Sequence, residues 1–84
     1  MSYTVSILPR AGRELARLPT VTYRRVSNAI RDLTAEPRPQ GCLRLTGRDS
    51  WRIRVGVYRV IYEIDDTRQF VTVLQVGHRR DVYR

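Results

Sequence analysis

The chain has no lysine; all sixteen of its basic residues are arginine. That absence excludes Schiff-base chemistry and a lysine general base, because a guanidinium keeps its proton at any working pH. Cysteine is nearly absent too: Cys42 stands alone, so no internal disulfide can form. A half-buried spacer suits Cys42 better than a reactive thiol. With His78 the single histidine, no known zinc spacing can be assembled, and no metal or cofactor is expected. There is no long hydrophobic run and no apolar stretch after Met1. The expectation is a cytoplasmic protein with no membrane partner. Acids are scarce: eight against sixteen bases leave a formal net charge of +8. Biased coding explains arginine in place of lysine, but not the excess over acids. A small protein this basic meets polyanions, and nucleic acid fits better than a lipid surface, since no amphipathic basic helix stands out.

What is present is enough for one domain, residues 1–84, with a modest core drawn from an apolar fraction of 42%. "YTVSIL" alternates Tyr3, Val5 and Ile7 against Thr4 and Ser6, which predicts a strand. Pro9 suits the first turn of a helix. "RAGRELARLP" places Ala11, Leu15 and Leu18 at helical spacing with arginines on the other face, until Pro19 stops it. Thr20 is then placed to cap a second helix, whose apolar stripe is Val26, Ala29, Ile30 and Leu33. So short a connection predicts an antiparallel helix pair. "RPQGCLRLTGRDS" reads as a linker with a short extended piece at residues 42–45. Three strands follow: "SWRIRV", "YRVIYEI" and "FVTVLQVG". The order β-α-α-β-β-β predicts an α+β fold, an antiparallel-rich sheet with a two-helix hairpin packed on one face.

The hairpin carries the chemistry. If Gly56 and Val57 form its turn, Val55 pairs with Tyr58, Arg54 with Arg59, Ile53 with Val60 and Trp51 with Tyr62. That register collects the large apolar groups on one face and sets Arg52, Arg54 and Arg59 on the other. Like charges directly opposite on a sheet destabilise by a few tenths to about 1 kcal/mol. Glu63 shares the face and offers partial neutralisation. The last strand runs into His78, Arg79, Arg80, Asp81 and Tyr83, and strand adjacency brings that end beside the hairpin. Guanidinium forks grip phosphates, and a tyrosine ring stacks on an unpaired base. Tyr83 also suits a peg that closes the sheet. His78 suits either proton transfer or a plain surface position.

The residues "LRLTG…WRIRVGVYRVIYEIDD…VTVLQVGHRRDVY" resemble the RelE family of bacterial toxins, within the RelE/ParE superfamily. The likeness runs from Leu43 to Tyr83, and the preceding strand and helix pair suit the same fold. The resemblance implies a ribosome-dependent endoribonuclease that cuts mRNA in the A site and leaves a 2′,3′-cyclic phosphate and a 5′-hydroxyl. It also implies a cognate antitoxin, expected to present an acidic amphipathic helix, with ribosome and mRNA as the other partners. Carried over by position, the family's basic pair on the first hairpin strand matches Arg52 and Arg54. Its phosphate-binding arginine matches Arg59, its leaving-group arginine matches Arg79, and its base-stacking tyrosine matches Tyr83. Arg48 and Arg80 stand as further RNA contacts. Well-studied relatives carry lysine where this chain has Arg52 and Arg54, one of them a proposed general base. The base is therefore open here among Arg52, Glu63, His78 and a ribosomal RNA group. A gyrase-poisoning toxin of the ParE type, a non-catalytic basic RNA-binding module and a degenerate toxin are the rival expectations.

Overall fold

In β1 (Thr4–Ile7), Val5 turns toward the core while Thr4 and Ser6 turn away. The structure, a computed structural model, describes residues 2–46, 49–78 and 80. β1 leads directly into α1 (Pro9–Ala16), where Pro9 occupies the first turn and its missing N–H costs nothing. Ala11 and Leu15 are the buried residues of α1. α2 (Thr20–Asp32) buries Val26 and Ile30. Thr20 does not cap it. Pro19 holds the cap position in an extended conformation, and its carbonyl accepts the Tyr23 N–H at 2.7 Å. Proline's fixed φ sets the entry angle there, so Thr20 is already helical.

The extended piece expected after the linker is β2 (Leu43–Arg44), only two residues long. β3 (Ser50–Val55), β4 (Tyr58–Asp65) and β5 (Phe70–His78) follow. The five strands form one sheet in the order β1-β5-β4-β3-β2. β1 runs parallel to β5 and every other pair is antiparallel. The β3–β4 register is the one expected, from Val55 opposite Tyr58 through Arg54 opposite Arg59 to Trp51 opposite Tyr62. Gly56 takes φ 62°, the left-handed conformation that a tight two-residue turn demands.

Both helices lie on one face. Ala11, Leu15, Val26, Ile30 and Leu33 pack there against Ile53, Val60, Tyr62, Val71, Val73 and Val76. Each such side chain contributes roughly 1.5–3 kcal/mol by leaving water. Tyr62 is wholly buried, and its hydroxyl donates to the Pro37 carbonyl at 2.8 Å. Burial pushes the Tyr62 phenol well above its ordinary range.

One apolar residue departs from the expected sorting. Ile61 pairs with Arg52, lies on the arginine face and is nevertheless 3% exposed. A second departure sits in β5. Ile61 pairs with Gln75 but Tyr62 with Val73, so Leu74 is an extra residue and β5 bulges. The bulge lets Val73 and Val76 both face the helices, which a regular strand forbids at a spacing of three. β1 has ended opposite Val73, and beyond that point the Val76 N–H donates to Glu14 Oε1 of α1 at 2.9 Å.

At the other end of the sheet, Arg38 donates to both Asp66 carboxylate oxygens, at 3.2 and 2.9 Å, and Tyr3 donates to the same carboxylate at 2.7 Å. The Arg38 guanidinium also lies 5.0 Å from the centre of the Trp51 ring. These hydrogen bonds, from Arg38 first and Tyr3 second, hold the Asp66 carboxyl below the usual carboxylate range.

Candidate nucleic-acid interface

Among the described residues, the helices cover one face of the sheet and leave the other uncovered. Strand pairing arranges the uncovered face in rows. Leu43, Arg52, Ile61 and Gln75 form one row across four strands. Arg54, Arg59 and Gly77 form the next, toward the β3–β4 turn. Gly77 puts no side chain beside Arg59. Arg54 is exposed and Arg59 half-buried. Arg52 is 8% exposed, an unusual position for a guanidinium on a sheet face. Neither Arg52 nor Arg54 forms an ion pair with a carboxylate among the described residues. Arg54 also borders a cleft of about 210 Å³ between β3, the end of α2 and the linker, lined by Ala29, Asp32, Pro39, Gln40 and Gly41.

Glu63 is on this face, but one row beyond Arg52 and two beyond Arg59, opposite Ser50 and Thr72. It belongs to the acidic end instead. There Asp49, Glu63, Asp65 and Asp66 line an open cleft of about 560 Å³ near the β4–β5 turn. Arg68 lines the same cleft, and Arg38 and Arg44 pair with Asp66 and Asp49, so this end is close to neutral, while Arg54 near the β3–β4 turn has no carboxylate partner among the described residues. A polyanion laid on the face is drawn toward the β3–β4 turn.

His78 is not among the arginines. It pairs with Tyr58, whose ring packs against the core, and the two rings meet edge to face at 5.9 Å between centroids. His78 therefore lies on the helix-covered side of the sheet, at its margin. Its Nδ1 accepts the backbone N–H of the exposed Arg80 at 3.2 Å, which places the ring proton of the neutral form on Nε2. Arg48, Arg79 and Tyr83 lie outside the described residues. Among the described residues, no group of three or more His, Cys, Asp or Glu side chains is arranged to hold a metal ion. Among the described residues, no helix is long and apolar enough to cross a membrane.

The sequence reading missed Arg25. Its Nη1 stands 3.8 Å from where a Cβ on Gly56 would lie, so this α2 arginine overhangs the β3–β4 turn beside the Arg54–Arg59 pair. Nothing local in the sequence links Arg25 to Gly56; only the packing of α2 on the sheet brings them together.

The family model described as "ParE toxin of type II toxin-antitoxin system, parDE" matches residues 5–83. The chain is 40% identical over 86 residues to Toxin RelG of Mycobacterium tuberculosis, covering 100% of this chain and 99% of that one. Its structure superposes on a chain of the RelBE2 toxin–antitoxin complex of Mycobacterium tuberculosis with a TM-score of 0.80 at 34% identity, covering 94% of this chain and 100% of that one. On a chain of the archaeal RelE–RelB complex of Pyrococcus horikoshii OT3 the TM-score is 0.86 at 31% identity, covering 98% of this chain and 100% of that one.

Proposed function

The chain belongs to the RelE/ParE superfamily of type II toxin–antitoxin toxins, and from that premise we propose that it is a ribosome-dependent endoribonuclease that cuts mRNA in the A site. One observation carries the proposal: Arg52, Arg54 and Arg59 stand in adjacent rows of the sheet face opposite the helices, with no carboxylate of the described residues paired to Arg52 or Arg54. Like charges held in adjacent rows, two of them without a carboxylate partner, are arranged to receive an external anion.

In the mechanism, a 2′-oxygen attacks the adjacent phosphorus and the bond to the 5′-oxygen breaks. The 2′-hydroxyl proton leaves to a base, and the 5′-oxygen takes up a proton. The products are a 2′,3′-cyclic phosphate and a 5′-hydroxyl. Arg59 binds the scissile phosphate, and Arg52 and Arg54 hold the flanking backbone and answer the charge that builds on the phosphorane. Arg79 donates to the leaving oxygen, and Tyr83 stacks on the splayed base so that nucleophile and phosphorus align. A guanidinium is too weak an acid to serve as the base in its neutral form. Glu63 stands two rows from Arg59, and His78 is across the sheet. We therefore assign the base to the ribosome, which accounts for dependence on it.

The structures of related toxins with RelB support a cognate antitoxin for this chain as well. An acidic amphipathic helix would cover the arginine rows and silence them. The cell compartment that fits all of these partners is the cytoplasm.

The test is induced expression with mapping of mRNA ends. Wild type is expected to arrest growth and leave breaks at A-site codons. Arg59→Ala is expected to relieve the arrest and lower cleavage at least about 100-fold. An Arg59→Ala chain as toxic as wild type removes the assignment. The ParE description of the matching family model favours a second reading, inhibition of DNA gyrase on the same scaffold. Double-strand DNA breaks with intact mRNA would establish it.

A further inference from the structure

The cleft beside Arg54 has no part in the mechanism above. It exists because β2 is short. Leu43 and Arg44 pair with Arg52 and Trp51, so β2 stops before Ile53 and Arg54 and leaves that edge of β3 open. α2 ends alongside at Asp32, and residues 39–41 of the linker complete the walls. Gly41 takes φ 91°, and a Cβ built on it would meet nothing within 4 Å, so the space is open on that side. The cleft holds about 210 Å³.

Its walls are of three kinds. Ala29, Pro39 and Ile53 are apolar. Asp32 supplies a carboxylate and Arg54 a guanidinium. These two do not pair with one another, and neither forms an ion pair with any other described residue. The last carbonyls of α2 add partial negative charge on the Asp32 side. An anion is repelled by Asp32 and the helix end, and a cation is repelled by Arg54. A flat neutral ligand that donates along one edge and accepts along another suits both walls, with its faces against the apolar residues. A carboxylate only accepts, and two donors side by side satisfy its two oxygens. Among the four RNA bases guanine alone presents such a pair, N1–H and the N2 amine. Its O6 and N7 are the acceptors that a guanidinium fork takes.

We infer that this cleft is a guanine-reading subsite, which takes the base of one nucleotide flanking the cut and gives the toxin a sequence preference. Asp32 reads the base by accepting from N1–H and the N2 amine. Arg54 links the subsite to the cutting site, because it lies opposite Arg59 in the sheet and holds the flanking backbone in the mechanism above. Its fork of donors serves base and backbone together. The inference rests on the endoribonuclease reading and adds which base sits beside the cut.

The test maps mRNA ends after induced expression of wild type and of Asp32→Ala. Wild type is expected to favour guanine at least about fivefold at one fixed position beside the cut, and in Asp32→Ala that ratio falls to about one. Inosine lacks the N2 amine. Placed at that position in ribosome-bound mRNA, it is expected to slow single-turnover cleavage by wild type at least about fivefold relative to guanine, and Asp32→Ala is expected not to distinguish the two. A preference that survives Asp32→Ala, a preference for another base, or none at all overturns the inference and leaves the nuclease reading standing. Circular dichroism reports whether the variant folds. If it does not, Asp32→Asn keeps the side-chain shape and replaces one acceptor with a donor. An unchanged guanine–inosine difference in Asp32→Asn overturns the inference. If wild type cuts nothing, the nuclease reading falls and the cleft is tested by itself, by titrating nucleosides into the isotope-labelled protein. Amide shifts at Ala29 and Gly41 that guanosine causes, that adenosine, cytidine and uridine do not, and that vanish in Asp32→Ala sustain the subsite. No shift with guanosine overturns it. Equal shifts with methylguanidinium overturn it too, because they assign the cleft to a cation.

Discussion

Arg52 is 8% exposed beside Ile61 at 3%, on the sheet face opposite the helices. Its stem packs on the sheet beside Ile61, and no carboxylate among the described residues pairs with its charge. A charge held one row from the Arg54–Arg59 pair with no carboxylate partner is retained for something other than stability. Arg52→Met keeps much of the volume and removes the charge. It is expected to unfold at equal or higher urea concentration, by about 1 kcal/mol, while mRNA cleavage falls at least about 100-fold. A clearly destabilised variant would instead make Arg52 a structural residue. The pairing of Arg54 with Arg59 and the face of Arg52 were legible in the sequence, because strict alternation and a two-residue turn admit one register. The burial of Arg52 was not, since it depends on what lies across the face.

At the scale of elements, the bulge at Leu74 decides more than its size suggests. Counted along a regular strand from Val71 and Val73, His78 falls on the arginine face; the extra residue turns it to the side of Tyr58. The alternation of "FVTVLQVGH" reports the strand but not the skipped pair, and so it misplaces the histidine. The valine spacing from Val73 to Val76 is the trace the bulge leaves in the sequence. Glu14 completes the arrangement by accepting the Val76 N–H where β1 has run out. Glu14→Ala is expected to cost about 1–3 kcal/mol in chemical denaturation and to speed amide exchange at Val76, because that donor is left without an acceptor. Glu14→Gln keeps an oxygen in place and is expected to cost less. Equal losses in the two variants would show that the helix, not the hydrogen bond, had been disturbed.

Across the whole molecule, charge and chain tracing are linked. The arginine rows and the acidic cleft occupy opposite ends of one sheet face, and Asp66 at the acidic end joins β1, the segment after α2 and the β4–β5 turn through Tyr3 and Arg38. The Asp66 pKa is lowered in the fold, chiefly by the Arg38 hydrogen bond. Its stabilising effect is therefore present above the unfolded value of about 4 and is lost as pH falls through the folded value. Urea titrations over a pH series should show stability holding down to about pH 5 and falling below about pH 4. Asp66→Asn should be less stable at neutral pH, with a shallower acid limb. Identical acid limbs in the two proteins would mean that another carboxylate governs acid unfolding. The sequence by itself determined the element order, the helix pair, the hairpin register and the cationic character of one sheet face. Each of these follows from periodicity, turn length or composition, all properties of neighbouring residues. Only the tertiary structure decided that β1 lies parallel beside β5, that His78 turns from the arginines, that Arg52 is buried and that Arg25 reaches Gly56. Those outcomes depend on contacts between residues far apart in the chain, which no local pattern records.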